Sequence, residues 1–162
     1  MKIIDDKSKI AVEYLKTKEK GYGYARIFIE NKIVGSKEDL IPYVSYLSSG
    51  LNQIINSETI SKCVFETFNS FNLKNIYYYL KANLDSENMN TYKYHISFGT
   101  FTDDYLIFSF KYEDKIYIVW KVVNRNTIFS DIANLKKNIN IFSERYDIME
   151  NAIQNILERV SK

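Results

Sequence analysis

One proline, five glycines, one cysteine and one histidine are all that these types contribute to 162 residues. Each scarcity excludes something. So little proline and glycine leaves no flexible linker, and without internal repeats or low-complexity tracts the chain reads as one domain, 1–162, within the usual size of about 100 to 200 residues. The lone Cys63 rules out an internal disulfide or a multi-cysteine metal site, and nothing points to an oxidising compartment. No segment approaches the roughly 18 consecutive apolar residues of a membrane span. The opening MKIIDDKSK turns charged after two isoleucines, so no secretory leader is expected, and a cytoplasmic location follows. The net charge is +2, from 22 basic and 20 acidic residues, too weak a field to predict direct binding to nucleic acid or a membrane surface.

Aromatic side chains are plentiful. There are 14 Tyr and 10 Phe, and hydrophobic residues make up 46% of the chain, enough apolar surface to offset the conformational entropy lost on folding. In SKIAVEYLK, residues 8 to 16, Ile10, Val12 and Tyr14 share one face with Lys9 and Glu13 opposite, the period of a half-buried strand. After Gly21-Tyr22-Gly23, a turn or bulge, YARIFIE (24 to 30) and Ile33-Val34-Gly35 read as a hairpin around Asn31-Lys32. From Ser36 the period becomes helical. Leu40, Val44, Leu47, Leu51 and Ile54 or Ile55 form one stripe, and Asp39 is expected to cap it so that Pro42 falls in the first turn. Two further helical stretches follow, with Ile60, Val64, Phe68 and Phe71, then Leu73, Ile76 or Tyr77, Leu80 and Leu84, separated near Asn69 to Asn72.

Period two returns at 92. Tyr92, Tyr94, Ile96 and Phe98, then Leu106, Phe108 and Phe110, then Ile116, Ile118, Trp120 and Val122 predict a three-stranded antiparallel meander with short loops. The tail reads as a long helix through Phe142, Tyr146, Met149, Ile153, Ile156 and Val160. Runs of strands and runs of helices imply an α+β fold: an antiparallel sheet, made of the N-terminal hairpin plus the meander, with helices packed on one face and the other face open to water.

Candidate chemistry is sparse. His95 alternates with Lys93 and Ser97 on the more polar side of its strand, with no sequence-adjacent nucleophile, and is read as incidental. Asp103 and Asp104 could suggest a metal, but neighbours entering a strand project to opposite faces, so a turn is the better reading. Cys63 sits at helical spacing beside Val64 and Phe65 and is expected to be buried and inert. Of Tyr77, Tyr78 and Tyr79, at least one must face solvent, where tyrosine can anchor a protein interface. No catalytic residue, cofactor or metal is expected. Between 85 and 114, six acids (Asp85, Glu87, Asp103, Asp104, Glu113 and Asp114) stand against Lys93 and Lys111. The meander should bring Asp85 and Glu87 beside Glu113 and Asp114, with Asp103 and Asp104 at the other end. Such a cluster is either a set of solvated loop charges or a patch that docks a basic partner.

RIFIENKIVG followed by a helix, then HISFGTFTDDYLIFSFKYEDKIYIVWKV and a closing amphipathic helix, resembles small immunity proteins of bacterial polymorphic toxin and contact-dependent growth inhibition systems, over roughly residues 24 to 160. The Asn, Lys, Ile and Tyr-rich composition is similar to that of horizontally moved genes that encode such proteins. The resemblance implies an intracellular inhibitor, not an enzyme, that binds the C-terminal toxin domain of a cognate effector. If that toxin were a basic nuclease, the acidic cluster would suit its phosphate groove. A secretion-chaperone-like adaptor, a small enzyme assembled only by folding, and a nucleic-acid binder are the competing readings, and the oligomeric state stays open.

Overall fold

A computed structural model describes residues 1–86 and 89–162. Its strands fall into two antiparallel sheets rather than one. The first has the order β1 (Lys2–Ile4), β2 (Ile10–Lys16), β3 (Gly23–Ile29), β4 (Lys32–Val34), the second β5 (His95–Ile96), β6 (Tyr105–Tyr112), β7 (Lys115–Val122), β8 (Asn140–Arg145). The helices are α1 (Tyr43–Ile55), α2 (Lys62–Asn69), α3 (Ile76–Asp85), α4 (Met89–Tyr92) and α5 (Tyr146–Val160). The α+β class and the antiparallel pairing are as the alternation predicts.

The hairpin of β3 and β4 turns one residue earlier than expected. Ile29 pairs with Lys32, so Glu30 and Asn31 form the two-residue loop, and both take positive φ, 50° and 61°, as a type I′ turn requires. On β2, Ile10, Val12 and Tyr14 enter the core as predicted. Glu13 is not solvated on the opposite face: it is 9% exposed, and the Arg26 guanidinium of the paired strand donates to it.

Helix α1 starts at Tyr43 with Pro42 at its N-cap, and Asp39 does not cap it. Ile41 exchanges two backbone hydrogen bonds with Gly23, each 2.9 Å, which holds the chain extended up to the proline. The helix can begin only after that. Leu40 is therefore 47% exposed, and the Asp39 carboxylate accepts instead from Thr100 Oγ1 at 2.6 Å. Strand β5 is shorter than the alternation from Tyr92 to Phe98 predicts. Beyond Ile96 the ladder passes to α1: Ser97 N–H donates to Gln53 Oε1 (3.1 Å) and Gln53 Nε2 donates to Ser97 O (3.2 Å).

The largest departure is at the tail. Phe142 belongs to strand β8, and the helix begins four residues later at Tyr146. Ile139 and Ile141 pack on one side of β8 and Phe142 on the other, so a period-two segment lies directly before the helical stripe. Strand β8 supplies the hydrogen bonds that the outer edge of β7 would otherwise lack.

The second sheet is covered on both faces, where one open face was expected. Ile107, Ile116, Ile118, Trp120 and Val122 join α1, α5 and the inner face of the first sheet in one apolar cluster. Phe108, Phe110 and Val119 point the other way, into a second cluster with Phe65 of α2 and Ile76, Tyr77 and Leu80 of α3. Each such buried Phe is worth about 1.5 to 3 kcal/mol relative to exposure. The segment from 123 to 139 reaches back to the first sheet, where Ser36 Oγ (2.7 Å) and Lys37 N–H (2.9 Å) both donate to Asp131. Ser130 also donates through its N–H (2.7 Å) and its hydroxyl to Glu38.

Gly50 lies inside α1, where alanine would ordinarily gain about 0.5 to 1 kcal/mol. A Cβ there would sit 2.0 Å from Phe98 Cδ1, a close approach that is absolute at this packing. Gly50→Ala should therefore lower the thermal midpoint by several degrees, and Phe98→Leu in the same background should recover part of it. A raised midpoint in Gly50→Ala would show that Phe98 does not lie against this helix.

Candidate functional site

The turn between β6 and β7 contains two of the six acids. Tyr112 pairs with Lys115, leaving Glu113 and Asp114 as a two-residue loop with Glu113 at φ 52°. Both side chains are exposed. The loop also starts the last helix, because Tyr146 N–H, an orphan donor at the head of α5, donates to Asp114 O at 2.7 Å. A cleft of about 540 Å³ opens here, lined by Lys111, Glu113, Asp114, Lys115, Arg145, Tyr146 and Asp147. Arg145 bonds Asp147 at 2.8 Å, and Lys111 Nζ lies 4.5 Å from the centroid of the Tyr146 ring. Tyr146 donates its hydroxyl to Glu150 at 3.1 Å, and that bond holds its phenol above the ordinary range.

Three carboxylates and three cations thus share one cleft. This is a mixed-charge surface, not the acidic field that counting acids between 85 and 114 suggests. Lys111 is counted and Lys115 lies one residue past the counted stretch, but Arg145 joins them only because residues 140 to 145 form a strand beside β7.

The other acids lie elsewhere. Asp85, at the end of α3, pairs with Lys81 one turn back, and it is not among the residues lining the cleft. Glu87 lies outside the described residues. Asp103 and Asp104 lie in the turn before β6, as the turn reading predicts, at the opposite end of the β6–β7 hairpin. Asp103 is exposed, and its carboxyl is held above the usual range by partial burial and then by Asp104 and Asp39. Asp104 is 7% exposed and used internally: its carboxylate accepts from Asn124 Nδ2 and Thr127 Oγ1, and its carbonyl accepts Val123 N–H at 2.8 Å. It shapes the start of the crossing segment.

His95 is half-buried with its ring edge-on to Phe108, centroids 6.1 Å apart, and burial alone lowers its pKa. Cys63 is exposed, where burial was expected, because α2 turns Phe65 inward and carries the thiol outward. Tyr77 is buried, while Tyr78 and Tyr79 are 54% and 40% exposed. Gly21, at φ 85°, makes the turn expected around Tyr22. Among the described residues no group of three or more His, Cys, Asp or Glu could hold a metal ion, and no helix is long and apolar enough to cross a membrane.

The arrangement presents exposed charges of both signs on two paired strands and a helix start, groups suited to recognition of a charged surface. The family model for immunity protein 42 (Imm42) matches residues 1–161. No curated protein matches the chain. The crystal structure of CdiI from Burkholderia dolosa AUO158 is similar in fold, with a TM-score of 0.65 and 12% identity over 98% of this chain and 99% of that one.

Two outcomes follow from the local chemistry. Asp104→Ala leaves Asn124 and Thr127 without their acceptor and should cost roughly 1 to 3 kcal/mol in a urea titration, with faster amide exchange at Val123; unchanged exchange there would remove Asp104 from this role. For His95, the folded pKa lies below the ordinary value, so its contribution to stability is present above about pH 6.5 and is lost as the pH falls through the folded value. The urea midpoint should therefore fall between pH 7.5 and 5.5, less so in His95→Phe, and equal slopes in the two chains would refute the assignment.

Proposed function

The chain belongs to the immunity protein 42 family, and from that premise we propose that it neutralises a cognate bacterial toxin by binding it, without turnover of its own. The match across residues 1–161 carries this reading. In its finer form, the partner is the C-terminal toxin domain of an effector encoded beside this gene, and the encounter takes place in the cytoplasm, where a toxin acting inside the cell must be met.

The cleft at the β6–β7 turn is the part of the surface we assign to that contact. Glu113 and Asp114 project from a two-residue loop, and the α5 start behind them is bonded to the same loop, so the loop backbone is already fixed before binding. Exposed carboxylates at a hairpin tip suit a basic toxin surface such as a nuclease groove. Lys111, Lys115 and Arg145 in the same cleft favour a partner that presents both signs.

Titration calorimetry of this chain against the neighbouring toxin domain, paired with growth of cells expressing that domain, tests the reading. Stoichiometric binding and restored growth are expected. Glu113→Lys/Asp114→Lys should weaken binding about tenfold at low salt, and the deficit should shrink as salt screens the rim. Binding without protection would indicate an adaptor, and full protection by the double variant would move the contact off this turn.

A further inference from the structure

The two edges of the second sheet are finished differently. Val123 N–H donates to Asp104 O (2.8 Å) and Tyr146 N–H to Asp114 O (2.7 Å), and these bonds fix the phase of both ladders. Even-numbered residues of β6 and β8 therefore turn their N–H and C=O toward β7, and odd-numbered ones turn them outward. On β6 the outward groups are taken. Ile107 lies against Ile96 of β5, Ser109 N–H donates to Tyr94 O (2.8 Å), Lys111 N–H donates to Glu58 O (2.9 Å), and Lys111 O accepts from Ile60 N–H (2.9 Å). On β8 they are open. Arg145 N–H donates to the Glu144 carboxylate at 2.9 Å, but the outward N–H and C=O of Ile141 and Ser143 have no partner among the described residues. The strand carries neither proline nor lysine to blunt this edge, and its apolar side chains, Ile141 and Phe142, are only partly buried.

Unpaired backbone along an extended strand is best matched by another extended strand. The sequence of β8 can supply one from a second copy. A two-fold axis normal to the sheet sets outward residues opposite outward residues, so the axis must pass through a residue. Two centres keep nearly the whole strand paired. About Ser143, Phe142 would face Glu144 and Ile141 would face Arg145, apolar against charge in both cases. About Phe142, the two Phe142 rings face each other, Asn140 faces Glu144, Ile141 faces Ser143, and no like charges meet.

We propose that two copies of this chain associate through β8, antiparallel and centred on Phe142, so that their second sheets join into one continuous sheet. The N–H and C=O of Ile141 then bond those of Ser143 in the second copy, and the exposed remainder of Phe142 is covered by its own counterpart. One short strand falls well below the roughly 20 to 30 residues a side of a standard interface, so the association is weak and concentration-dependent. It does not rest on the toxin-neutralising reading.

Analytical ultracentrifugation tests this on the chain alone. The 19.1 kDa monomer should give way to a dimer as the concentration rises from about 1 to about 500 µM. Ser143→Pro removes an N–H that β7 does not use, a place where an edge strand tolerates proline. It should keep the fold, read by circular dichroism, and abolish the dimer at every concentration. Directly opposed residues of a non-hydrogen-bonded pair lie about 4.5 Å apart at Cα, within disulfide reach. In a Cys63→Ser background, Phe142→Cys should therefore cross-link to itself under mild oxidation, whereas Asn140→Cys, set opposite Glu144, should not. A chain that stays monomeric throughout would overturn the inference, and a loss of toxin-domain affinity in Ser143→Pro would then give the open edge to the toxin. A dimer that persists in Ser143→Pro would overturn the choice of edge. Cross-linking through Asn140→Cys in place of Phe142→Cys would overturn the register.

Discussion

Strand β7 is packed on both faces along its middle. Ile116, Ile118, Trp120 and Val122 enter one apolar cluster while Val119, with Tyr117 packed beside it, enters the other. A strand of this kind must lie inside its sheet and must find cover on both faces, and the rest of the molecule follows from that demand. Helices α1 and α5 and the inner face of the first sheet meet it on one side; α2 and α3 meet it on the other. Strand β6 fills one edge and β8 the other, which is why the segment before the last helix is drawn into the ladder.

Holding a second sheet against this partition requires polar fastening as well as apolar packing. The crossing segment supplies it through Ser130 and Asp131, which bond Glu38, Ser36 and Lys37 in the connection between β4 and α1. Asp104 sets the direction in which that segment leaves β7. These carboxylates stabilise by satisfying donors that would otherwise be left without partners when the loop packs down.

The surface fits a protein whose work is to be recognised by one partner. Charge is divided by site. At the hairpin turn both signs are interleaved within one cleft, and between the sheets two lysines and three asparagines rim a cleft with apolar walls. Interleaved charge suppresses wrong partners more than it adds raw affinity, and a desolvated apolar pocket does the reverse. An immunity protein needs both, since it must hold its own toxin tightly and ignore related ones.

Most elements were legible from local pattern. The alternation in 10–16, 24–29, 105–112 and 115–122 and the stripe through Leu47, Leu51 and Ile54 report directly on which side chains share a face, because that is set by backbone period within a few residues. The resemblance of 24 to 160 to immunity proteins also pointed the right way. Other features depended on partners far along the chain. Asp39 looks like a helix cap until Ile41 bonds Gly23, Phe142 and Tyr146 look like one helical stripe until β7 needs a neighbour, and Cys63 looks buried until Phe65 takes the inward position. The acids from 85 to 114 look like one patch for the same reason: proximity in sequence says nothing of the Lys115–Arg145 pairing or of Asp104 turning inward. Periodicity is a property of neighbours, whereas register, sheet membership and the sign of a surface are decided by competition among distant groups for the same hydrogen bonds and the same apolar cover.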